Sequence, residues 1–493
     1  MSTLYFYGAV GAAFVISRLP LPPGPKKLPL VGNLFDMPRT LGWLTYMEWS
    51  KKYNSDILHL DVAGTSIIVL SSAEAANELC EKRAAIYSDR RVIQDSLFWT
   101  KPSRAHRRLF HEVFNAVAVR RLRPRAREVC RELLCDLLQK PDQNVVGHFR
   151  LMAAKVVMSV AYGIDVRSAN DSYVTLAKKT VDKMVSAMAP GAFLVDSIPL
   201  LKYVPEWFPG AGFQRQAREG RRLAHEMKEK PFVVAKQQIA TGKAPHSFTM
   251  VGLRMVQESE NKAYQEQLVQ NTAATMWTAG TDTTVSALAT FILAILSNPE
   301  AQKKAQAEID AVVGTDRLPD FHDEPHLPYV AALMKESMRW RNVAPIPIPH
   351  YLSAEDEYKG YRLPAGSIVI PNTWAILHDE NVYPDPYSFK PERYLLDGKL
   401  NPDIPGPDIV FGFGRRMCPG RHFALSSVWI TMTSILAAFD VSKAVDDAGN
   451  VVEPSYEYCA GQIAMPLPFE CSIKPRTQKT SVLIEASVNK ERR

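Results

Sequence analysis

The chain is short of cysteine, and the few it has follow no pattern. Six occur in 493 residues: Cys80, Cys130, Cys135, Cys418, Cys459 and Cys471. No CxxC or zinc-ribbon spacing appears, which excludes the usual structural zinc sites. They are too sparse for a disulfide scaffold, so a reducing compartment is the simpler home. Glycine-rich nucleotide fingerprints are also missing, and no stretch is left over for a second, flavin- or nicotinamide-bearing domain. The charge excess is mild, +7 at neutral pH. Where basic residues do cluster they lack interleaved aromatics and any known module, which excludes nucleic acid as a partner. With 46% hydrophobic and 23% charged residues, wholesale disorder is excluded too.

A full-length apolar run is missing at the N-terminus. Leu4 to Ile16 is continuously apolar or small, short of the roughly 20 residues of a complete span. A cleaved signal peptide would carry basic residues ahead of this run. Here Arg18, Lys26 and Lys27 follow it instead. That charge order predicts an uncleaved membrane anchor over residues 1–17, with the bulk of the chain in the cytosol. Tyr5, Phe6 and Tyr7 suit a membrane interface. Pro20, Pro22, Pro23 and Pro25 then make residues 18–35 a stiff, extended arm.

What remains, residues 36–493, reads as a single large domain, mainly α with minor β-sheets. No repeat or linker divides it. "SDILHLDVAGTSIIVLSS" alternates around Ala63–Gly64 as a hairpin does. Helical periodicity dominates from about residue 73 to 345. A long helix is expected from about Ala263 to Ser297. Asn298 as N-cap and Pro299 at the first helical position start the next, which ends near Gly314. "PYVAALMKESMRW" and "RHFALSSVWITMTSILAAF" are further helices, and "GYRLPAGSIVI" contributes short strands.

The densest chemistry lies in "FGFGRRMCPG", residues 411–420. Gly412 and Gly414 allow backbone conformations closed to other residues and a close approach to a flat ligand. Arginines beside a sulfur favour its thiolate. Cys418 also stands just before a helix start, whose positive end stabilises an anion. The residues themselves leave four roles open for Cys418: metal ligand, nucleophile, redox switch or small core residue. A thiolate so placed is chemically suited to serve as an axial ligand of haem iron.

The full pattern, Phe411, Gly414, Arg416, Cys418 and Gly420, resembles the haem-binding signature FxxGxRxCxG of the cytochrome P450 family. Three more motifs in the family's order extend the resemblance over essentially the whole chain. "AGTDTT", residues 279–284, resembles the oxygen-activating segment of the family's long helix. Ala279 and Gly280 leave room there for a planar cofactor, and the resemblance makes Thr283 the oxygen-activating threonine with Asp282 its proton-relay partner. "ESMR" supplies Glu336 and Arg339 on one helical face, and "FKPERY" supplies Arg393 to complete a buried triad. That triad is structural, and tolerable only as a fully bonded network. The family's WxxxR motif is incomplete: Ser103 stands at the Trp position and Arg107 at the Arg position, with Trp99, Arg104 and His106 nearby.

The resemblance therefore implies a P450 fold behind the anchor, and haem b (iron protoporphyrin IX) with Cys418 as axial thiolate. Phe411, Gly280, Arg107, His350 and Arg416 would complete the cofactor site, the last three toward the propionates. It implies insertion of one oxygen atom from O2 into a hydrophobic small molecule, such as a terpenoid, a polyketide or an aromatic or indole amine. Electrons would come from NADPH through a separate P450 reductase, drawn to the arginines between Arg104 and Arg131. Residues 92–102, Met276, Trp277, Val343–Ile348 and Ala460–Ile463 are expected to line the substrate pocket, and residues 198–210 to form a lid that dips into the membrane. The proline arm and the ending "PLPFECSIKPR" resemble fungal microsomal members, hence an endoplasmic-reticulum membrane with the catalytic domain in the cytosol. The rival readings are a P450-type isomerase or dehydratase, against which the intact Asp282–Thr283 pair argues, and a non-catalytic haem-thiolate protein, which would need neither that pair nor a reductase face.

Overall fold

In the computed structural model, which describes residues 19–90, 104–141, 144–188, 195, 199–257 and 260–491, the expected hairpin pairs β1 (Ile57–Val62) with β2 (Thr65–Leu70). Ala63 and Gly64 both take positive φ, 48° and 83°, the two-residue turn whose twist matches a hairpin. β2 pairs in parallel with β4 (Ile368–Pro371), which pairs antiparallel with β3 (His350–Tyr351). The sheet order is β1-β2-β4-β3. A second sheet has β5 (Phe439–Val445) between β6 (Val451–Val452) and β7 (Cys471–Pro475).

The proline arm does not project from the domain. The carbonyls of Pro23 and Pro20 accept the N–H groups of His59 and Arg362, at 3.0 and 2.8 Å. Asn33 holds both Pro25 and Asp61 through its side chain. A Cβ on Gly24 would lie 2.2 Å from the His59 carbonyl oxygen, so the arm lies directly along β1. The anchor expected over residues 1–17 falls outside the described residues.

Helices make up most of the rest. α1 is Arg104–Phe114, α2 Arg123–Gln139, α3 Val145–Tyr162, α4 Ser172–Met188 and α5 Gly212–Ala240. α6, Lys262–Ser297, runs through the centre and packs against α1, α3 and α5. Its second half, Leu288 to Leu296, is buried on every side, as expected of a helix apolar all round. α3 and α6 are long and apolar enough to cross a membrane, yet 67% of each apolar stretch is buried inside the fold. They are core helices.

α7 is Pro299–Val312, α8 Pro328–Trp340, α9 Arg421–Ala438 and α10 Gln478–Glu491. Gly314, with φ of 78°, follows the end of α7. Asn298 is the N-cap of α7, as expected, and its carbonyl accepts the Ala301 N–H at 3.0 Å. Its side chain turns the other way: the amide donates back to the Ala294 carbonyl, at 3.0 Å, and to Ser297 Oγ, so the same residue also closes α6.

The Glu336 triad braces α8. Both carboxylate oxygens are engaged: Arg339 donates at 2.7 and 2.9 Å, Arg393 at 3.1 Å, and the Lys390 backbone N–H at 2.9 Å. Arg339 also reaches the Leu377 carbonyl, and Arg393 that of Pro384. Glu336 and Arg339 are fully buried, and the saturation of every charge with partners makes that burial tolerable.

Candidate functional site

The loop that carries Cys418 is fixed by local backbone chemistry. Gly414 has φ of 51°, and a Cβ there would meet the Cys80 carbonyl oxygen at 2.2 Å. Only glycine allows the loop to press against the helical turn Asn77–Lys82. The Gly414 N–H donates to Glu81 at 2.7 Å, and the Cys418 N–H to the Phe411 carbonyl at 2.7 Å. Phe411 thus closes the loop through its backbone, and α9 starts at once. Of the six cysteines, all described, Cys418 alone is exposed. Although the residue is open to solvent, protein atoms crowd its sulfur and raise the thiol pKa, and the backbone N–H groups of Gly420 and Arg421 with the charges of Arg107 and Arg421 pull it back. Cys80 and Cys471 differ: burial pushes their thiols up to about 12.

Three guanidiniums converge beside this loop. Arg107 of α1 donates to the Met417 carbonyl at 2.8 Å, Arg416 to that of Ser88, and Arg90 to those of Pro349, at 2.6 Å, and Ile348. Burial first, then repulsion from Arg416, lowers both Arg90, to about 10, and Arg107. Among the described residues no carboxylate pairs with any of the three. Half-buried cations of one sign call for a counter-anion, and the two propionates of haem b are such a group. His350 borders the cluster, with Nδ1–H donating to the Tyr87 carbonyl at 2.8 Å. Burial, then Arg90, lowers its pKa to about 4, so the ring is neutral and its Nε2 bears no proton unless an anion restores one. The exposed thiol and the uncompensated arginines fit haem b. Sequence reading overlooked Arg90, which belongs to no motif; its signal is an arginine pair in "SDRRV" just before the apolar stretch.

On α6 the residues Thr275, Ala279 and Thr283, four apart, form an open row, while Met276, Trp277 and Thr278 between them are buried. Thr283 Oγ1 donates to the Ala279 carbonyl at 2.7 Å. Asp282 points elsewhere, toward α3, with Arg150 Nε 3.7 Å away. Burial raises its pKa, Arg150 lowers it and Asp182 raises it again. Neighbours in sequence are about 100° apart around a helix, and Asp282 and Thr283 share no direct hydrogen bond.

Two expectations need correction. A Cβ on Gly280 would meet Val157 of α3 at 3.0 Å, so the space it leaves is taken by α3; the small residue on the open row is Ala279. Trp277 is fully buried, edge-on to Tyr162 and Tyr173, and Met276 is buried with it, so neither lines an open pocket. Val343–Ile348 and Ala460–Ile463 do come together: the Ala464 N–H donates to the Val343 carbonyl, and Gln462 Nε2 to that of Ile346. Residues 92–102, Trp99 and Ser103 fall outside the described residues.

The basic run is mostly spoken for. Arg125 pairs with Glu128 and Asp165, Arg127 with Asp320, and Arg123 with Glu324; Arg131 is buried against the Pro319 carbonyl. Arg108, Arg120, Arg121 and Arg415 remain exposed. A second exposed surface is apolar: Leu200, Tyr203, Trp207 and Phe208 lie in the expected lid, with Trp207 81% exposed.

Comparison with known proteins agrees with this geometry. The family model for cytochrome P450 matches residues 22–457. The chain is 47% identical to cytochrome P450 monooxygenase 98 of Postia placenta, covering 96% of this chain and 94% of that protein. It is 42% identical to cytochrome P450 monooxygenase ple1 of Rhodocybe pseudopiperita, over 99% and 96%. Tryptamine 4-monooxygenase of Psilocybe cyanescens is 37% identical, over 94% of each chain. With a match from residue 22 to 457 and relatives aligned nearly end to end, the chain belongs to the cytochrome P450 family of haem-thiolate monooxygenases.

Proposed function

We propose that Cys418 is the axial thiolate and that the protein hydroxylates or epoxidises a hydrophobic secondary metabolite. One observation carries the assignment: the only exposed cysteine stands at a helix N-terminus beside three arginines that lack carboxylate partners among the described residues. Haem b bound there supplies activation of O2, so that RH, O2, NADPH and a proton yield ROH, water and NADP+. The chain's own residues do the rest. The N–H groups of Gly420 and Arg421 support negative charge on the sulfur. Arg90, Arg107 and Arg416 would hold the propionates, with His350 at their edge. Asp282, whose carboxyl pKa burial raises, is the acid of the proton relay, and Thr283 presents a hydroxyl on the open row of α6.

The exposed Arg108, Arg120, Arg121 and Arg415 suit the acidic face of an NADPH-dependent reductase. The exposed Leu200, Tyr203 and Trp207 suit a lipid surface. With the anchor over residues 1–17, this gives an enzyme on the cytosolic side of the endoplasmic-reticulum membrane. Terpenoids, polyketides and aromatic or indole amines are the substrate classes; the relative named for tryptamine supports the last.

The test is spectral. The reduced, carbon monoxide-bound protein is expected to show the strongly red-shifted Soret band of thiolate-ligated haem, and Cys418→His to lose it. A shifted band that survives Cys418→His, or its absence from the unmodified protein, refutes the assignment. A panel of hydrophobic metabolites, screened for displacement of the sixth haem ligand, identifies the substrate class.

A further inference from the structure

The turn after β6 is bound to its surroundings more tightly than an exposed connection requires. Its base is closed by the bridge between Tyr458 and Pro466 and by the Cys459 N–H donating to the Met465 carbonyl at 2.9 Å. The Cys459 thiol lies 3.3 Å from the Ile463 carbonyl oxygen and 3.3 Å from the Met465 nitrogen, so it donates to one and accepts from the other. Side chains then fix the turn to two other segments. Ser286 Oγ of α6 donates to the Ala464 carbonyl at 2.8 Å, and Tyr458 OH donates to Thr290 Oγ1 at 3.2 Å. Ser286 and Thr290 are four apart, so both attachments leave the same face of α6. On the other side, Gln462 Nε2 donates to the Ile346 carbonyl at 2.9 Å.

We propose that Ser286 and Gln462 are positioning residues that set the shape of the substrate-facing wall, by pinning the turn Tyr458–Pro466 to α6 and to the Val343–Ile346 segment. Ser286 is fully buried, so it acts on a ligand only through the turn. It lies three residues beyond Thr283, so the helix that carries that hydroxyl also anchors the turn. A wall held by side-chain bonds on both flanks is preorganised: a ligand that fits it does not have to order it. This rests on the reading of residues 343–348 and 460–463 as walls of the substrate pocket.

The probes are imidazole and 4-phenylimidazole, titrated by difference spectroscopy into the haem-loaded protein. Both ligate iron through nitrogen, and only the second reaches a wall. Ser286→Ala removes one attachment. Gln462→Glu keeps the side chain's size but removes its donor, and sits at a partly exposed position if the buried variant does not fold. Both are expected to change the ratio of the two dissociation constants by about threefold to tenfold while imidazole alone is unaffected. Ser286→Thr, which restores the hydroxyl, is expected to return the ratio to that of the unmodified protein. Ile346→Ala and Ile463→Ala test the wall itself. If these two shift the ratio and Ser286→Ala and Gln462→Glu do not, the pinning role is overturned and the wall stands. If none of the four shifts it, the wall reading falls, and the proposal with it.

Discussion

Asp282 and Arg150 face each other at 3.7 Å across the contact of α6 with α3, and burial outweighs the arginine in raising the carboxyl's pKa. The folded state therefore takes up a proton that the unfolded chain releases. Between the unfolded pKa, about 3.9, and the raised folded one, stability falls as pH rises, and the full cost is present above that window. Asp282→Asn removes this slope, which urea unfolding at stepped pH values measures. The same variant loses the proton carrier, so oxygenation is expected to slow about a hundredfold, read as product formed per NADPH consumed.

Arg90 tests the anion cluster where no motif points. Arg90→Ala is expected to weaken haem retention by about tenfold to a hundredfold, the worth of a hydrogen bond to a charged group at roughly 1.5–3 kcal/mol. Transfer of haem to an excess of apomyoglobin gives the rate directly. Retention equal to the unmodified protein would remove Arg90 from the site.

Two buried histidines away from the arginine cluster make the fold sensitive to acid. Burial lowers His59 to about 4 and His378 to about 3, from 6.5. Each has a depressed folded pKa, so the unfolded chain binds protons first as pH falls. Stability is expected to be intact above about pH 6.5 and to drop steadily toward pH 4, by on the order of 3 kcal/mol for each ring. The unfolding midpoint against pH, with His59→Gln as comparison, measures one share.

Gly414 and Gly64 both have positive φ, and they should respond differently to alanine. At Gly64 nothing lies within 4 Å of an added Cβ, so Gly64→Ala costs only the backbone strain, about 1–2 kcal/mol. At Gly414 the methyl would enter the Cys80 carbonyl. Gly414→Ala is expected to give protein that holds little haem, and the two melting curves side by side separate strain from collision.

Local signals told much of this in advance. The helix Pro328–Trp340 begins on a proline, and the Glu336 triad is legible because Glu336 and Arg339 share one turn and one short later segment supplies Arg393. What failed was orientation and distance. "AGTDTT" names residue types but not the rotation of α6, so Gly280 turned to α3 and Trp277 into the core. The basic run read as a docking surface throughout, and the pairing of much of it was hidden because its partners are remote: Glu324 lies 201 residues from Arg123, and Asp320 193 from Arg127. Asn298 was legible as the N-cap, but not the turn of its amide back onto α6, because one amide suits either the end of one helix or the start of the next.

The proline arm has a mechanical meaning. Because Pro20 and Pro23 are hydrogen-bonded to the sheet region and Gly24 lies against His59, the arm is fastened to the domain within a few residues of Leu19. A force applied through the arm is carried to β1 itself. A tether of that kind works as a bracket, transmitting the tilt of whatever holds it straight into the framework that carries His350 on β3.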